Sequence, residues 1–201
     1  MSIFSSFPNR LPPTALGQPQ PWWLLAGFAG LFLALGIVHG PLVRADRLLA
    51  RDDLTLIEPL LRLSSAGGYF AAVRDGQILD LQPVRDLSFV LDLKIGAWTG
   101  VGTFHLTNLL LWFCIVVLVY RILRVTRQPG LLLFFCLAAF ALHPVFVNSV
   151  GWVAARKHLL STLFILLATW TVMAAKGPLG WGGVSRTGIW YALSISSQPI
   201  T

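Results

Sequence analysis

The sequence predicts an all-α integral membrane protein: four transmembrane helices, the beginning of a fifth, and a large outer loop containing interfacial helices. Three observations lead there. Of 201 residues, 56% are hydrophobic and only 11% are charged, whereas a soluble domain carries about 25% charged residues and needs them to face water. Apolar runs long enough to cross a bilayer recur along the chain. Charge is also sorted: all 8 acidic residues fall between Asp46 and Asp92, while every charged residue outside that window is basic.

Residues 1–20 are polar and rich in Pro and Ser, which reads as a disordered cytoplasmic leader. Residues 21–40 form the first span; its charge-free stretch from Trp22 to His39 covers about 27 Å as a helix. Residues 41–102 are the outer, periplasmic or luminal, loop. Its acids are offset by Arg44, Arg47, Arg51, Arg62, Arg74, Arg85 and Lys94. Pro83 suits the first position of a helix, behind which Val84, Leu87, Leu91, Ile95 and Trp98 follow helical spacing. That pattern predicts a helix lying in the membrane interface. A second short helix is expected over Leu48–Leu63, broken near Pro59, and Gly67-Gly68 marks a turn.

Residues 103–121 make the second span. Arg121, Arg124 and Arg127 follow in quick succession, which places the 122–130 loop in the cytoplasm. The third span, 131–153, is interrupted by His143-Pro144. An outer turn, 154–158, leads to a fourth span, 159–175. Residues 176–201 read as a cytoplasmic tail or an incomplete fifth span, because the apolar stretch from Ile189 is too short to cross as a helix. The expected location is a bacterial inner membrane or an endoplasmic reticulum membrane, with the N-terminus cytoplasmic.

The net charge of +7 is not a nucleic-acid signal. No basic run alternates with aromatics in a polar context, and the arginines collect at span ends, where topology uses them. Cys114 and Cys136 lie inside apolar runs and read as small buried hydrophobes.

Four groups of residues could carry chemistry. Asp52-Asp53 can act as a general base or hold a divalent metal, or can be solvated loop acids paired with Arg47 or Arg51. His143 and Asn148 flank Pro144, which removes a backbone donor. They either line a polar cavity beside freed carbonyls or mark a plain interfacial helix end. Arg156-Lys157-His158 opens the fourth span on the outer side, where cations bind lipid phosphate or snorkel to head groups. His39 and His105, like His143 and His158, fall at ends of apolar runs that an alternating path brings to one side. The histidines lack metal-ligand spacing of the H-x-x-x-H kind.

Three blocks agree in order and spacing with one family: Gln82-Pro83-Val84-Arg85-Asp86-Leu87-Ser88-Phe89; Phe104-His105-Leu106-Thr107-Asn108-Leu109-Leu110-Leu111; and Ala141 to Ser161 around His143-Pro144-Val145-Phe146-Val147-Asn148 and Arg156-Lys157-His158. Together they resemble the N-terminal membrane half of the transmembrane and tetratricopeptide-repeat O-mannosyltransferase-like proteins and their bacterial relatives, members of the GT-C glycosyltransferases. The resemblance covers residues 22–175. It implies an enzyme that transfers a sugar from a polyprenyl-phosphate donor to a hydroxyl on the outer side. It further implies Asp52 and Asp53 as catalytic carboxylates, and Arg156, Lys157 and Arg85 as donor-phosphate binders. His143, Asn148, His105 and His158 are then expected to line the cavity, with room for a divalent metal.

The chain departs from the family pattern at three places. Phe146 and Asn148 stand where the family has His and Glu, and His158 stands where it has an acid. Ser196-Ser197-Gln198-Pro199 looks like a shortened Ser-Lys-Pro segment. A truncated or reduced form is therefore expected. The alternative is a catalytically inactive GT-C-derived subunit, a scaffold in a larger membrane complex. Expected partners are membrane lipids and other membrane subunits, not nucleic acid.

Overall fold

A computed structural model describes residues 22–45, 51–63, 66–78, 81–99, 103–124, 130–175 and 177–198. The leader 1–20, Asp46, Arg47, Asp80, Arg127 and Lys176 lie outside the described residues. The described residues are helical, without strands. In order they are α1 (Trp22–Ala45), α2 (Arg51–Leu61), α3 (Ala66–Arg74), α4 (Pro83–Thr99), α5 (Phe104–Arg124), α6 (Gly130–Ala141), α7 (Val147–Gly151), α8 (Arg156–Met173) and α9 (Trp181–Ser197). Short 3-10 turns at Pro144–Phe146 and Val153–Ala155 flank α7.

Helices α1 and α5 are each long and apolar enough to cross a membrane, and α6 with the Pro144–Gly151 segment qualifies jointly, bent by 52°. By length and composition this is a membrane protein. The bend falls where Pro144 cannot donate a backbone hydrogen bond. The His143 ring caps the turn instead: its Nδ1 accepts from the Val145 N–H at 3.2 Å.

Helices α5 and α8 run in the same direction. Arg156 at the start of α8 bonds to the Phe104 carbonyl at the start of α5. At the far ends the Arg121 guanidinium lies over the Trp170 ring, 4.7 Å from its centroid. Leu31 and Leu35 of α1 join Leu109, Trp112, Ile115 and Val116 of α5 in the main core, closed by Ala141, Val150 and Leu159. Phe146 stacks on Trp112 at 4.7 Å, and the Trp112 Nε1–H donates to the Ala141 carbonyl. Gly27 permits a close approach of α1 to α6, since a Cβ there would sit 2.9 Å from the Phe134 ring. In lipid, tails are as apolar as leucine, so tight packing and interhelical hydrogen bonds rather than burial from water hold such helices together.

The stretch expected to be a tail or incomplete span contains α9, which has 17 residues, about 25 Å of helix, and returns along α8. Its Ser194 meets Ser161 at 2.9 Å, its Trp190 stacks on Phe164, and Gln198 reaches His158. Helix α2 runs through Pro59 to Leu61 instead of breaking there, because the missing donor falls where only two residues remain. Gly67 and Gly68 lie in the first turn of α3 rather than in a turn between helices. Cys114 and Cys136 are exposed, on faces where α5 and α6 also present Leu110 and Phe135 outward.

Helix α4 turns its polarity inside out. Arg85, Asp86, Phe89 and Asp92 are buried, while Leu87, Leu91, Ile95 and Trp98 are exposed. The helix therefore presents an apolar stripe outward and keeps its charges for the interior.

Candidate functional site

The charged inner face of α4 organises a polar cluster at the common starting end of α5 and α8. Arg156 is its centre, with a relative exposure of 0%. Burying a guanidinium is tolerable only if its charge and donors are met, and each of its nitrogens is engaged. Nε donates to Asn108 Oδ1 at 2.8 Å. Nη1 pairs with Asp92 Oδ2 at 2.6 Å and reaches Ser88 Oγ at 3.4 Å. Nη2 donates to the Phe104 carbonyl at 2.7 Å. The Phe89 ring lies 4.7 Å from the guanidinium carbon and the Phe104 ring 5.8 Å, which adds cation–π attraction in a dry setting.

Each partner is itself held. Asp92 Oδ1 accepts from Thr107 at 2.6 Å, and Thr103 donates to the Asp92 carbonyl. The Asn108 amide donates to the Val150 and Trp152 carbonyls at 3.2 and 3.3 Å, satisfying the end of α7. One asparagine thus ties α5, α7 and α8 together.

Asp53 enters the same neighbourhood from α2. Its side chain is fully buried, and Oδ1 accepts from the Ala154 N–H at 2.8 Å. A carboxylate there gives the buried Ala154 N–H of the Val153–Ala155 turn an acceptor just ahead of α8. The acidic insert is in this way fastened to the turn two residues before Arg156.

A second buried pair sits nearer the start of α4. Arg85 Nε lies 2.7 Å from Asp86 Oδ1, and the Tyr69 hydroxyl donates to Asp86 Oδ2 at 2.6 Å. Burial, and then the bond to the Asp86 carboxylate, push the Tyr69 pKa well above its ordinary value of 10.0. The exposed pairs Arg62–Glu58 and Arg74–Asp75 are of the kind that contributes little.

The expected site residues therefore divide. Asp53, Arg156 and Arg85 are buried in polar frames, and His105 is buried on α5. Lys157 is half-buried beside Arg156. His143, Asn148 and His158 are exposed; His143 caps its own turn, and His158 Nδ1 meets Gln198 Oε1 at 2.7 Å. No side-chain bond joins His143 or Asn148 to Arg156. Asp52 lies in α2, but its side chain is outside the described residues. Arg156 differs from a cation waiting for phosphate, because Asp92 already meets its charge. Among the described residues no group of three or more His, Cys, Asp or Glu is placed to hold a metal ion.

Asp92, Asn108, Ser88, Thr107 and the Tyr69–Asp86 contact were not anticipated. Asn108 was the one with a signal, as a lone amide inside an apolar run marks an interior-facing position. The chain matches no family model, no curated protein and no solved structure.

Proposed function

We propose that this chain is the membrane-embedded part of a GT-C-type glycosyltransferase, transferring a sugar from a polyprenyl-phosphate donor to a hydroxyl on the outer side. In this reading the N-terminus is cytoplasmic. The spans are α1, α5, α6 with α7, and α8, and α4 rests its apolar stripe in the outer interface. The observation that carries the reading is the hydrogen bond from Ala154 to Asp53. It sets the acidic insert against the turn that leads into Arg156-Lys157, as a reaction needing both a carboxylate and a cation requires.

Within this reading the roles divide. Asp53 and Arg156 act as positioning residues, since both are buried and bonded within the protein. Asp52 is then the carboxylate that accepts the proton of the acceptor hydroxyl. The acceptor oxygen forms its bond to the anomeric carbon while the bond from that carbon to the phosphate oxygen breaks. The electron pair leaves on the phosphate, and the Lys157 ammonium meets its charge.

The test is sugar transfer in proteoliposomes from a labelled polyprenyl-phosphate sugar. Asp52→Asn should lower transfer by about 100-fold or more with unchanged thermal stability. Full activity in that variant would remove Asp52 from the mechanism.

A second reading is a GT-C-derived scaffold subunit. The internal neutralisation of Arg156 by Asp92 favours it. It predicts no transfer by the wild-type chain and stable co-purification with other membrane subunits.

A further inference from the structure

We infer that the cavity at the α8–α9 turn, at the opposite end of the molecule from Arg156, seats the phosphate group of an anionic membrane lipid. The inference rests on the membrane reading alone and not on sugar transfer. The cavity has a volume of about 370 Å³ and is lined by Trp170, Thr171, Ala174, Leu179, Gly183 and Arg186 among others.

Charge is the first argument. Every acidic residue of the chain falls between Asp46 and Asp92, and the buried carboxylates Asp53, Asp86 and Asp92 are committed to the α4 and α8 frames. Arg186 lines the cavity and is exposed. A second cation, Arg121, stands over the Trp170 ring that forms part of the wall. Among the described residues no carboxylate lines this cavity, so an anion is the complement its cations call for.

The second argument is the shape of the donors. Helix α9 begins at this mouth, and its cap residue, Gly180, supplies no side chain to its first N–H groups. A 17-residue helix presents positive potential at such an end. Thr171 adds a hydroxyl to the lining, although that group also donates to the Leu167 carbonyl.

The third argument selects a lipid over a soluble phosphate. Val172, Trp181 and Val184 around the turn are exposed, Trp181 by 88%. The hollow, with Arg186 in a largely apolar lining, is thus flanked by surface suited to acyl chains. A phosphodiester with a hydrophobic tail fits both parts, whereas free phosphate uses only one.

The experiment uses the full chain purified in detergent, offered phosphatidylglycerol or phosphatidylcholine, with bound lipid counted by native mass spectrometry. Arg186→Gln should lower phosphatidylglycerol retention about fivefold, the effect of one basic residue near an anionic surface, and leave phosphatidylcholine unchanged. Arg186→Lys should restore retention, and Arg74→Gln, at an exposed position of α3, should not alter it. Equal phosphatidylglycerol retention in Arg186→Gln and wild type would overturn the proposal. So would displacement of the lipid by an equal concentration of inorganic phosphate, which would give the cavity to a soluble anion.

Discussion

Arg156 and Asp92 form an ion pair at 2.6 Å with both side chains buried, and the two residues come from opposite sides of the sorted charge pattern. Asp92 belongs to the acid-rich insert and Arg156 to the basic start of α8. Their contact is what gives α4 a charged interior face and leaves its leucines outside.

Removing one member should be costly, because the survivor is a buried charge without a counterion. Arg156→Met is expected to destabilise by about 3–5 kcal/mol, read by denaturation in micelles. Arg156→Lys should rescue little. One ammonium cannot reproduce the fork that reaches Asn108, Asp92 and the Phe104 carbonyl together.

Asp53 Oδ1 accepts from the Ala154 N–H. Asp53→Ala should lower stability by about 1–3 kcal/mol, as expected when a buried donor loses its partner. Asp53→Asn keeps a side-chain oxygen for the Ala154 N–H and should lose less. Amide exchange at Ala154 checks the cause, rising in the alanine variant and staying protected in the asparagine variant.

Tyr69 gives a pH signature. Its folded pKa is raised above the ordinary value of 10.0 by burial and by Asp86, so the folded state holds the phenolic proton more tightly than the unfolded state. The resulting stability is fully present below pH 10.0 and is lost as pH rises above it. Tyr69→Phe should flatten that alkaline decline and lower stability at neutral pH, measured by thermal melts across the range.

The outward stripe of α4 should behave as a membrane contact. Leu91→Asp is expected to leave the helix content intact, since Leu91 is 52% exposed. It should weaken contact with lipid, so that a fluorophore at residue 95 reports a more polar environment in vesicles.

How far the sequence disclosed this arrangement varies with the range of the interaction. The spans α1 and α5 were legible from uninterrupted apolar runs, and α4 from the spacing of Leu87, Leu91, Ile95 and Trp98. What periodicity did not reveal is that Arg85, Asp86 and Asp92 bury themselves, because that depends on partners in α3, α5 and α8. The Asp53 contact spans 101 residues and leaves no local trace. Helix α9 was hidden by Gly182, Gly183, Ser185 and Arg186, which dilute its apolar character, whereas its fit against α8 depends on Ser161, Phe164 and His158. The candidate site was half legible: the acid pair and the Arg156 segment were visible, but not the commitment of Arg156 to Asp92.

The most direct measurement is a double-mutant cycle on Asp92→Asn and Arg156→Met, with unfolding free energies taken in the same micelles. The account predicts a coupling energy of about 0.5–3 kcal/mol, the range for residues in direct contact. Additivity within about 0.5 kcal/mol would contradict it, because the acidic insert would then not meet the mouth of α8.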